Sequence, residues 1–145
     1  ERSAPLPTGP RATAARKLTD AGFAERGLAA ASKVVALQPE DWNGWTSVGL
    51  NLLLQARSLR LACGVHSGVV DLATARRTGA SLMLASCRAF RRAAVLAPSE
   101  PRPWIGIGLT ESRPLVAQHS LIHSVALGGG GVALCNLGRL QTVLP

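Results

Sequence analysis

One spacing of proline, tryptophan and glycine occurs twice in this chain, and it limits the folds that the chain can adopt. The segments 39–49 and 98–108 both place a Trp six residues after a Pro and a Gly four residues after that Trp. Proline cannot continue a helix because it lacks the N–H that the preceding turn requires, so each segment is predicted to close one helix and open the next. The positions are Pro39, Trp45 and Gly49 in the first copy, and Pro98, Trp104 and Gly108 in the second.

A third, degraded copy follows at Leu134–Gly138, which keeps Leu137 and Gly138 but has Leu134 at the Trp position. Trp-x-x-Leu-Gly at the opening of a helix resembles the tetratricopeptide repeat, a helix pair of about 34 residues. The resemblance implies an all-α fold of antiparallel helix pairs stacked as an α-solenoid. Each Trp then packs as a wedge between units, and each Gly lets the paired helix approach closely. Because such stacks are binding scaffolds, we expect an interaction protein and not an enzyme.

The chain divides into four predicted parts. We expect an irregular N-terminal segment over 1–11, repeat-like helices over 12–63, an insertion or loop over 64–79 and repeat-like helices over 80–145. The first helix is predicted to break near Gly22 or Gly27.

Periodicity predicts which residues of the helices face inward. The helix that begins near Trp42 is expected to bury one apolar face, and the helix over 80–96 to turn its C-terminal half inward. The residues are Trp45, Val48, Leu52 and Leu59 in the first of these helices, and Phe90, Ala93 and Leu96 in the second.

The net charge of +8 is concentrated in the middle of the chain. Between Trp42 and Ser99 the only acid is Asp71, against seven arginines. Such a cluster can attract RNA or an acidic partner. Since no aromatic residues alternate with the arginines, we expect weak, sequence-indifferent contacts in which RNA is mainly an indirect partner. The arginines with this predicted role are Arg76, Arg77, Arg88, Arg91 and Arg92.

Neither the cysteines nor the histidines predict a catalytic or metal site. Cys63, Cys87 and Cys135 lie far apart in helical contexts and are expected to be buried thiols in a reducing compartment. His119 and His123 share a helix face, but with no third ligand in the pattern a packed or solvent-facing pair is the better interpretation. We therefore expect no catalytic residues, no metal and no cofactor.

No membrane span is expected. The stretch 114–138 carries no formal charge, but polar residues and the glycines of 128–131 interrupt it. Because the first residue is Glu1 and not Met, we expect the N-terminus to be a fragment edge or a processed end.

Two longer phrases carry a more specific resemblance. Trp45–Leu59 resembles the segment Trp-x-x-Leu-Gly-Leu-Asn-Tyr-Tyr-x-Gln-Ala-Lys-x-Leu in the tetratricopeptide scaffold of the superkiller (Ski) complex. Ala117–Val125, followed by Cys135–Gly138, is similar to Ala-Gln-His-x-Phe-Ile-Lys-Ser-Ile followed by Thr-Asn-Leu-Gly in the same scaffold. The resemblance covers about 37–61 and 80–140, a little over half of the chain.

What the resemblance implies is a cytoplasmic scaffold, with the nucleus as a second location. Its partners would be the RNA helicase and WD-repeat subunits of the complex and the RNA exosome, which together carry out 3′-to-5′ messenger RNA decay. Two alternatives stay open. One is a generic co-chaperone or peptide-binding repeat module that uses Arg57 and Arg60 on an acidic tail. The other is a small hydrolase or transferase, for which no acid–base pair stands at a recognisable spacing.

Overall fold

A computed structural model describes the backbone of residues 10–65 and 72–142, and the side chains of 22–60 and 72–142. Within these ranges the only regular elements are helices, which confirms the predicted all-α class. The helices are α1 (Pro10–Leu37), α2 (Trp42–Val65), α3 (Leu72–Leu96), α4 (Pro101–Thr110), α5 (Pro114–Ala126) and α6 (Gly130–Gln141).

The helices pack in chain order. Each helix contacts the next one along the chain, and the even-numbered helices also contact one another, α2 with α4 and α4 with α6. In the described part of the chain, α1 makes no contact with α3, and α3 makes none with α5. The even-numbered helices therefore form a continuous row. Of the odd-numbered helices, α3 packs against both α2 and α4, α5 packs against both α4 and α6, and within the described residues α1 packs against α2 alone.

Small residues allow α1 and α2 to lie close together. Ala24 and Ala31 are buried on α1, and a Cβ atom added to Gly27 between them would overlap the side chain of Asn51 on α2. The predicted break near Gly22 or Gly27 was wrong, since α1 is continuous through both positions. A helical glycine costs about 1 kcal/mol relative to alanine, and the close approach that Gly27 permits offsets this cost.

Both Pro–Trp segments adopt the same local structure. The indole N–H of Trp45 donates to the carbonyl of Pro39 (2.8 Å), and the indole N–H of Trp104 donates to the carbonyl of Pro98 (2.9 Å). Each bond ties the first turn of a helix to the end of the helix before it. Both tryptophans are half-buried.

Asp41 caps the N-terminus of α2. Its carboxylate accepts hydrogen bonds from the backbone N–H groups of Asn43 (3.0 Å) and Gly44 (3.2 Å), which are among the donors that a helix start leaves unsatisfied. Its negative charge also lies at the favourable end of the helix dipole.

The core lies where α3 packs against α4. Phe90, which is only 3% exposed, packs with Ala94 and Ile107, and Trp104 covers this cluster from one side. Two glycines make room for the Phe90 ring. A Cβ at Gly49 would lie 3.0 Å from the ring, and a Cβ at Gly106 would overlap it.

The glycine of the second copy has a similar role one helix pair later. A Cβ at Gly108 would lie 2.5 Å from Cγ of Leu121 on α5, so the glycine lets α5 approach α4. The glycine of the third copy differs, because no atom of the described residues lies within 4 Å of a Cβ added to Gly138. Leu137 beside it is half-buried, and Leu134 at the Trp position is 54% exposed.

The bounds of the predicted segments change in two places. We expected a loop over 64–79, but α2 continues to Val65 and α3 already begins at Leu72. We expected 1–11 to be irregular, but α1 begins at Pro10, where proline is tolerated because a first-turn N–H has no helical partner. The rest of these two segments, 1–9 and 66–71, lies outside the described residues.

The buried face of α2 is not the face that we predicted. The predicted residues are only half-buried, whereas Leu53 (2% exposed) and Ala56 (0% exposed) are buried on a neighbouring stripe. The reason is that α2 packs against three helices, so that the large aliphatic residues do not all belong to one face. On α3 the prediction was closer, since Phe90 and Ala93 are buried and Leu96 is half-buried.

Candidate interaction surfaces

An open groove of about 500 Å³ lies along the row of even-numbered helices. We call it the apolar groove. Its walls come from α2, α4 and the start of α6, and Phe90 of the core closes its floor. The residues that line it are Thr46, Leu50, Leu53, Phe90, Pro101, Arg102, Ile105, Gly106, Leu109, Gly128, Gly129 and Val132.

Helical spacing places the aliphatic residues of the groove. Pro101, Ile105 and Leu109 recur every four residues, which puts them on one side of α4. Leu50 remains 45% exposed and Val132 60% exposed, so the groove presents aliphatic surface to solvent. The i, i+4, i+8 pattern on α4 could have revealed this face from the sequence, but our sequence prediction did not include it.

The turn between α5 and α6 shapes one end of the groove. Gly128 (φ 88°) and Gly130 (φ 59°) adopt the left-handed conformation that glycine tolerates best. The backbone N–H of Gly129 donates to the carbonyl of Ser124 (2.8 Å), and this bond closes the end of α5. The turn therefore occupies only the first half of the glycine run 128–131, because Gly130 already opens α6.

A second cavity, of about 710 Å³, lies between α3 and the α4–α5 connection. We call it the arginine cleft. It shares no lining residue with the apolar groove. The lining residues are Ala80, Met83, Leu84, Cys87, Arg88, Arg91, Thr110, Glu111, Ser112 and Arg113.

Glu111 holds this part of the fold together. The side chain of Glu111 is only 6% exposed. Its carboxylate pairs with the guanidinium of Arg91 on α3 and with that of Arg113 at the start of α5. It also accepts a hydrogen bond from the backbone N–H of Arg113 (3.1 Å). One carboxylate therefore fixes the α4–α5 connection and anchors it to α3.

The same contacts shift the acid–base properties of the pair. Hydrogen bonds from the Arg113 side chain lower the pKa of Glu111 from 4.5 to about 2, although burial acts in the opposite direction. The backbone N–H of Arg113 and the positive charges of Arg113 and Arg91 also lower this pKa. The hydrogen bond to Glu111 raises the pKa of Arg113 in turn. Our sequence prediction missed Glu111, although an acid two residues before an arginine at a helix start was a visible signal.

Replacement of Glu111 by Gln should lower the free energy of unfolding by about 1–2 kcal/mol at neutral pH. The lowered pKa of Glu111 would by itself correspond to a larger loss of stability, at about 1.4 kcal/mol per pKa unit. The expected loss is smaller because Arg91 and Arg113 are 47% and 65% exposed, so that solvent screens their ion pairs with Glu111. Since the folded-state pKa is lowered, this stabilisation is present above pH 4.5 and is lost as the pH falls towards 2.

Urea unfolding of both proteins across this pH range measures the effect. Glu40→Gln is the control, because Glu40 pairs with Arg92 at 3.7 Å while 78% exposed and should change stability little. A difference between Glu111→Gln and the original chain that stayed constant down to pH 2 would contradict the assignment.

The five arginines with a predicted role in RNA or acidic-partner contacts are all exposed on α3, but the structure does not bring them together in one site. Arg88 and Arg91 line the arginine cleft, whereas Arg76 and Arg77 line neither cavity. Arg92 forms the pair with Glu40. Arg57 and Arg60 on α2 are exposed and also line neither cavity.

The histidine pair belongs to a small aromatic contact. The rings of His119 and His123 stack with centroids 6.5 Å apart, and the rings of His123 and Trp104 form a T-shaped contact with centroids 4.5 Å apart. His119 is exposed and His123 half-buried, as expected for a packed or solvent-facing pair. Among the side chains of 22–60 and 72–142, no three from His, Cys, Asp or Glu lie close enough to hold a metal ion.

The cysteines divide into two kinds. Cys87 is buried beneath the arginine cleft, as predicted. Cys135 is exposed, so the prediction of a buried thiol was wrong there, because its side of α6 does not pack against α4 or α5, the helices that α6 contacts. The side chain of Cys63 lies outside the described residues.

None of the helices in the described ranges has the length and hydropathy to span a lipid bilayer. Comparison of the chain with protein-family models, with curated proteins and with solved structures finds no match. The resemblance to tetratricopeptide repeats and to the superkiller scaffold therefore stays a prediction.

Proposed function

We propose that this chain is a non-catalytic scaffold of stacked helix pairs, of the tetratricopeptide type, that binds protein partners. The observation that carries the proposal is the recurrence of one local structure. Trp45 is the fourth residue of α2 and Trp104 the fourth of α4, and each donates its indole N–H to a proline carbonyl six residues earlier. A shared sequence spacing with a shared hydrogen bond favours repetition of one structural unit.

The packing of the glycines supports the same division into units. The side chain of Phe90 on α3 packs against Gly49 of α2, and the side chain of Leu121 on α5 packs against Gly108 of α4. These contacts support units in which each even-numbered helix pairs with the odd-numbered helix that follows it, while Phe90 also packs against Gly106 of α4. In stacked repeats the row of first helices presents an extended surface for binding.

The apolar groove lies on that row, and we assign it to an aliphatic segment of a protein partner. Leu50 and Val132 are exposed there, Ile105 and Leu109 are half-buried, and Arg102 is the one charged residue among the described lining. Burial of such surface against a partner stabilises a complex by about 25 cal/mol per Å² before the costs of association.

The particular assembly that we propose is that of the superkiller complex in the cytoplasm. The support is the resemblance of Trp45–Leu59 and Ala117–Val125 to its scaffold. The helicase and WD-repeat subunits would then be direct partners, and the RNA exosome an indirect one.

Binding of the purified helicase and WD-repeat subunits to the immobilised chain tests the proposal. We expect at least one subunit to bind, and Leu50→Asp to weaken that binding by about tenfold, because a carboxylate would be buried without a partner. Leu54→Asp is the matched control, since Leu54 lies one turn along the same helix, is 42% exposed against 45% for Leu50, and does not line the groove. It should change binding by less than about twofold.

The alternatives predict different results. If neither subunit binds, the superkiller assignment is wrong. Equal effects of Leu50→Asp and Leu54→Asp would remove the groove from the interface. Binding of an acidic peptide tail that is lost on replacement of Arg57 and Arg60 would favour the co-chaperone alternative.

A further inference from the structure

The arginine cleft carries more positive charge than its own acid can balance. Arg88, Arg91 and Arg113 line it against one acid, Glu111, so that its net charge is 3 − 1 = +2. Arg91 and Arg113 both pair with Glu111, whereas Arg88 has no ion pair within the described residues. The cleft therefore retains positive charge that faces solvent.

The apolar residues of the cleft lie on α3, on the same side of that helix as Arg88 and Arg91. Ala80, Met83, Leu84 and Cys87 follow one another on the same side of α3. Leu84 is 55% exposed and Met83 is half-buried, so this part of the cleft presents aliphatic surface to solvent. These residues form an aliphatic wall that adjoins Arg88 and Arg91 along the same helix, and this arrangement suits a ligand with an acidic group next to an aliphatic one.

Glu111 shows how the cleft holds a carboxylate. Its oxygens accept hydrogen bonds from Nε (3.1 Å) and Nη2 (3.2 Å) of Arg113, in addition to the pair with Arg91. A guanidinium group has five N–H donors, so both arginines keep donors that Glu111 does not use. A second carboxylate, brought by a ligand, can use these donors together with Arg88.

We propose that the arginine cleft binds a short acidic segment of a protein partner in which a carboxylate side chain adjoins an aliphatic side chain. The carboxylate pairs with Arg88 and with the unused donors of Arg91 and Arg113. The aliphatic side chain packs against Leu84 and Met83. This surface is separate from the apolar groove, and the inference does not depend on the function proposed for that groove.

An acidic peptide fits the cleft better than RNA does. Proteins that bind single-stranded RNA combine basic residues with aromatic side chains on which bases stack. Among the described residues that line the cleft, none is aromatic, and four of the ten are apolar. Charge alone would attract phosphates, but the aliphatic wall would remain unused.

Fluorescence anisotropy with labelled probes tests the proposal on the 145-residue chain. The probes are a peptide of alternating Glu and Leu, a peptide of the same length with Gln in place of Glu, and an oligouridylate of matched charge. We expect the Glu–Leu peptide to bind at least about tenfold more tightly than the Gln–Leu peptide, because charged pairs across an interface give selectivity. The oligouridylate should bind more weakly than the Glu–Leu peptide.

Two variants and their controls locate the site. Arg88→Glu should weaken binding of the Glu–Leu peptide by about tenfold, since the new carboxylate lies one turn from Arg91 and competes for it. Arg77→Glu makes the same charge change at an exposed position of α3 outside the cleft and should alter binding by about twofold at most. Leu84→Gln should weaken binding by about fivefold, and Leu50→Asp in the apolar groove should leave it unchanged.

Three outcomes would overturn the inference. They are failure of the Glu–Leu peptide to bind, equal losses from Arg88→Glu and Arg77→Glu, and tighter binding of the oligouridylate with the same dependence on Arg88. Circular dichroism of each variant checks that the helices are retained, which is expected because the replaced side chains at 77, 84 and 88 are all exposed.

Discussion

Truncation of Phe90 to alanine should lower the free energy of unfolding by about 3–5 kcal/mol. The side chain is 3% exposed and packs with residues of α3 and α4, so its loss leaves a cavity that rigid helices cannot close. The glycine at 106 is already in contact with the ring and has no side chain that could fill the space. A domain of this size is stabilised by only about 5–15 kcal/mol, so this single change should shift its thermal midpoint strongly.

Phe23→Ala is the matched control, because Phe23 is the only other phenylalanine and is 59% exposed on α1. Its ring contacts the Arg26 guanidinium at 4.8 Å, an exposed interaction worth about 1 kcal/mol or less. Urea unfolding followed by circular dichroism measures both variants. Similar losses for the two would mean that Phe90 does not occupy the core.

The second large effect is expected where a methyl group is added to a helical glycine. Gly106→Ala should destabilise the fold by about 2 kcal/mol or more, because the new Cβ would overlap the Phe90 ring. The ring cannot move freely away, since Gly49 of α2 also lies in contact with it. The gain in helix propensity, about 1 kcal/mol, is too small to compensate.

Gly138→Ala should have the opposite sign. Gly138 also lies within a helix, but no atom of the described residues lies within 4 Å of an added Cβ, so only the propensity gain of about 0.5–1 kcal/mol remains. Thermal unfolding of the two variants side by side measures the contrast. If Gly106→Ala were as stable as Gly138→Ala, the close packing of α4 against Phe90 would be wrong.

These contrasts also separate the three copies of the repeated segment. The glycines at 49 and 108 have close neighbours on the following helix, and the glycine at 138 has none among the described residues. From the sequence, all three glycines were given the same role although the third copy is degraded, because a spacing reports which residues recur and not which helix lies opposite each of them.

The sequence by itself determined the helical class and several of the helix ends. Pro39, Pro98 and Pro114 lack a backbone donor, and Asp41 supplies acceptors for an exposed helix start, so these residues act through local physics that needs no tertiary context. The same is true of the turn at Gly128 and Gly130, where a positive φ favours glycine.

Only the tertiary structure decided which side chains are buried and where surfaces form. Leu53 is buried while Leu52 and Leu54 beside it are not, because the direction of α3 and α4 relative to α2 selects the face. Glu111 meets Arg91 across twenty positions of sequence, and both residues line the arginine cleft. A local sequence pattern determines which secondary structure a segment favours. Burial and charge pairing depend instead on which residues of other segments lie against it, and the packing of the helices decides this.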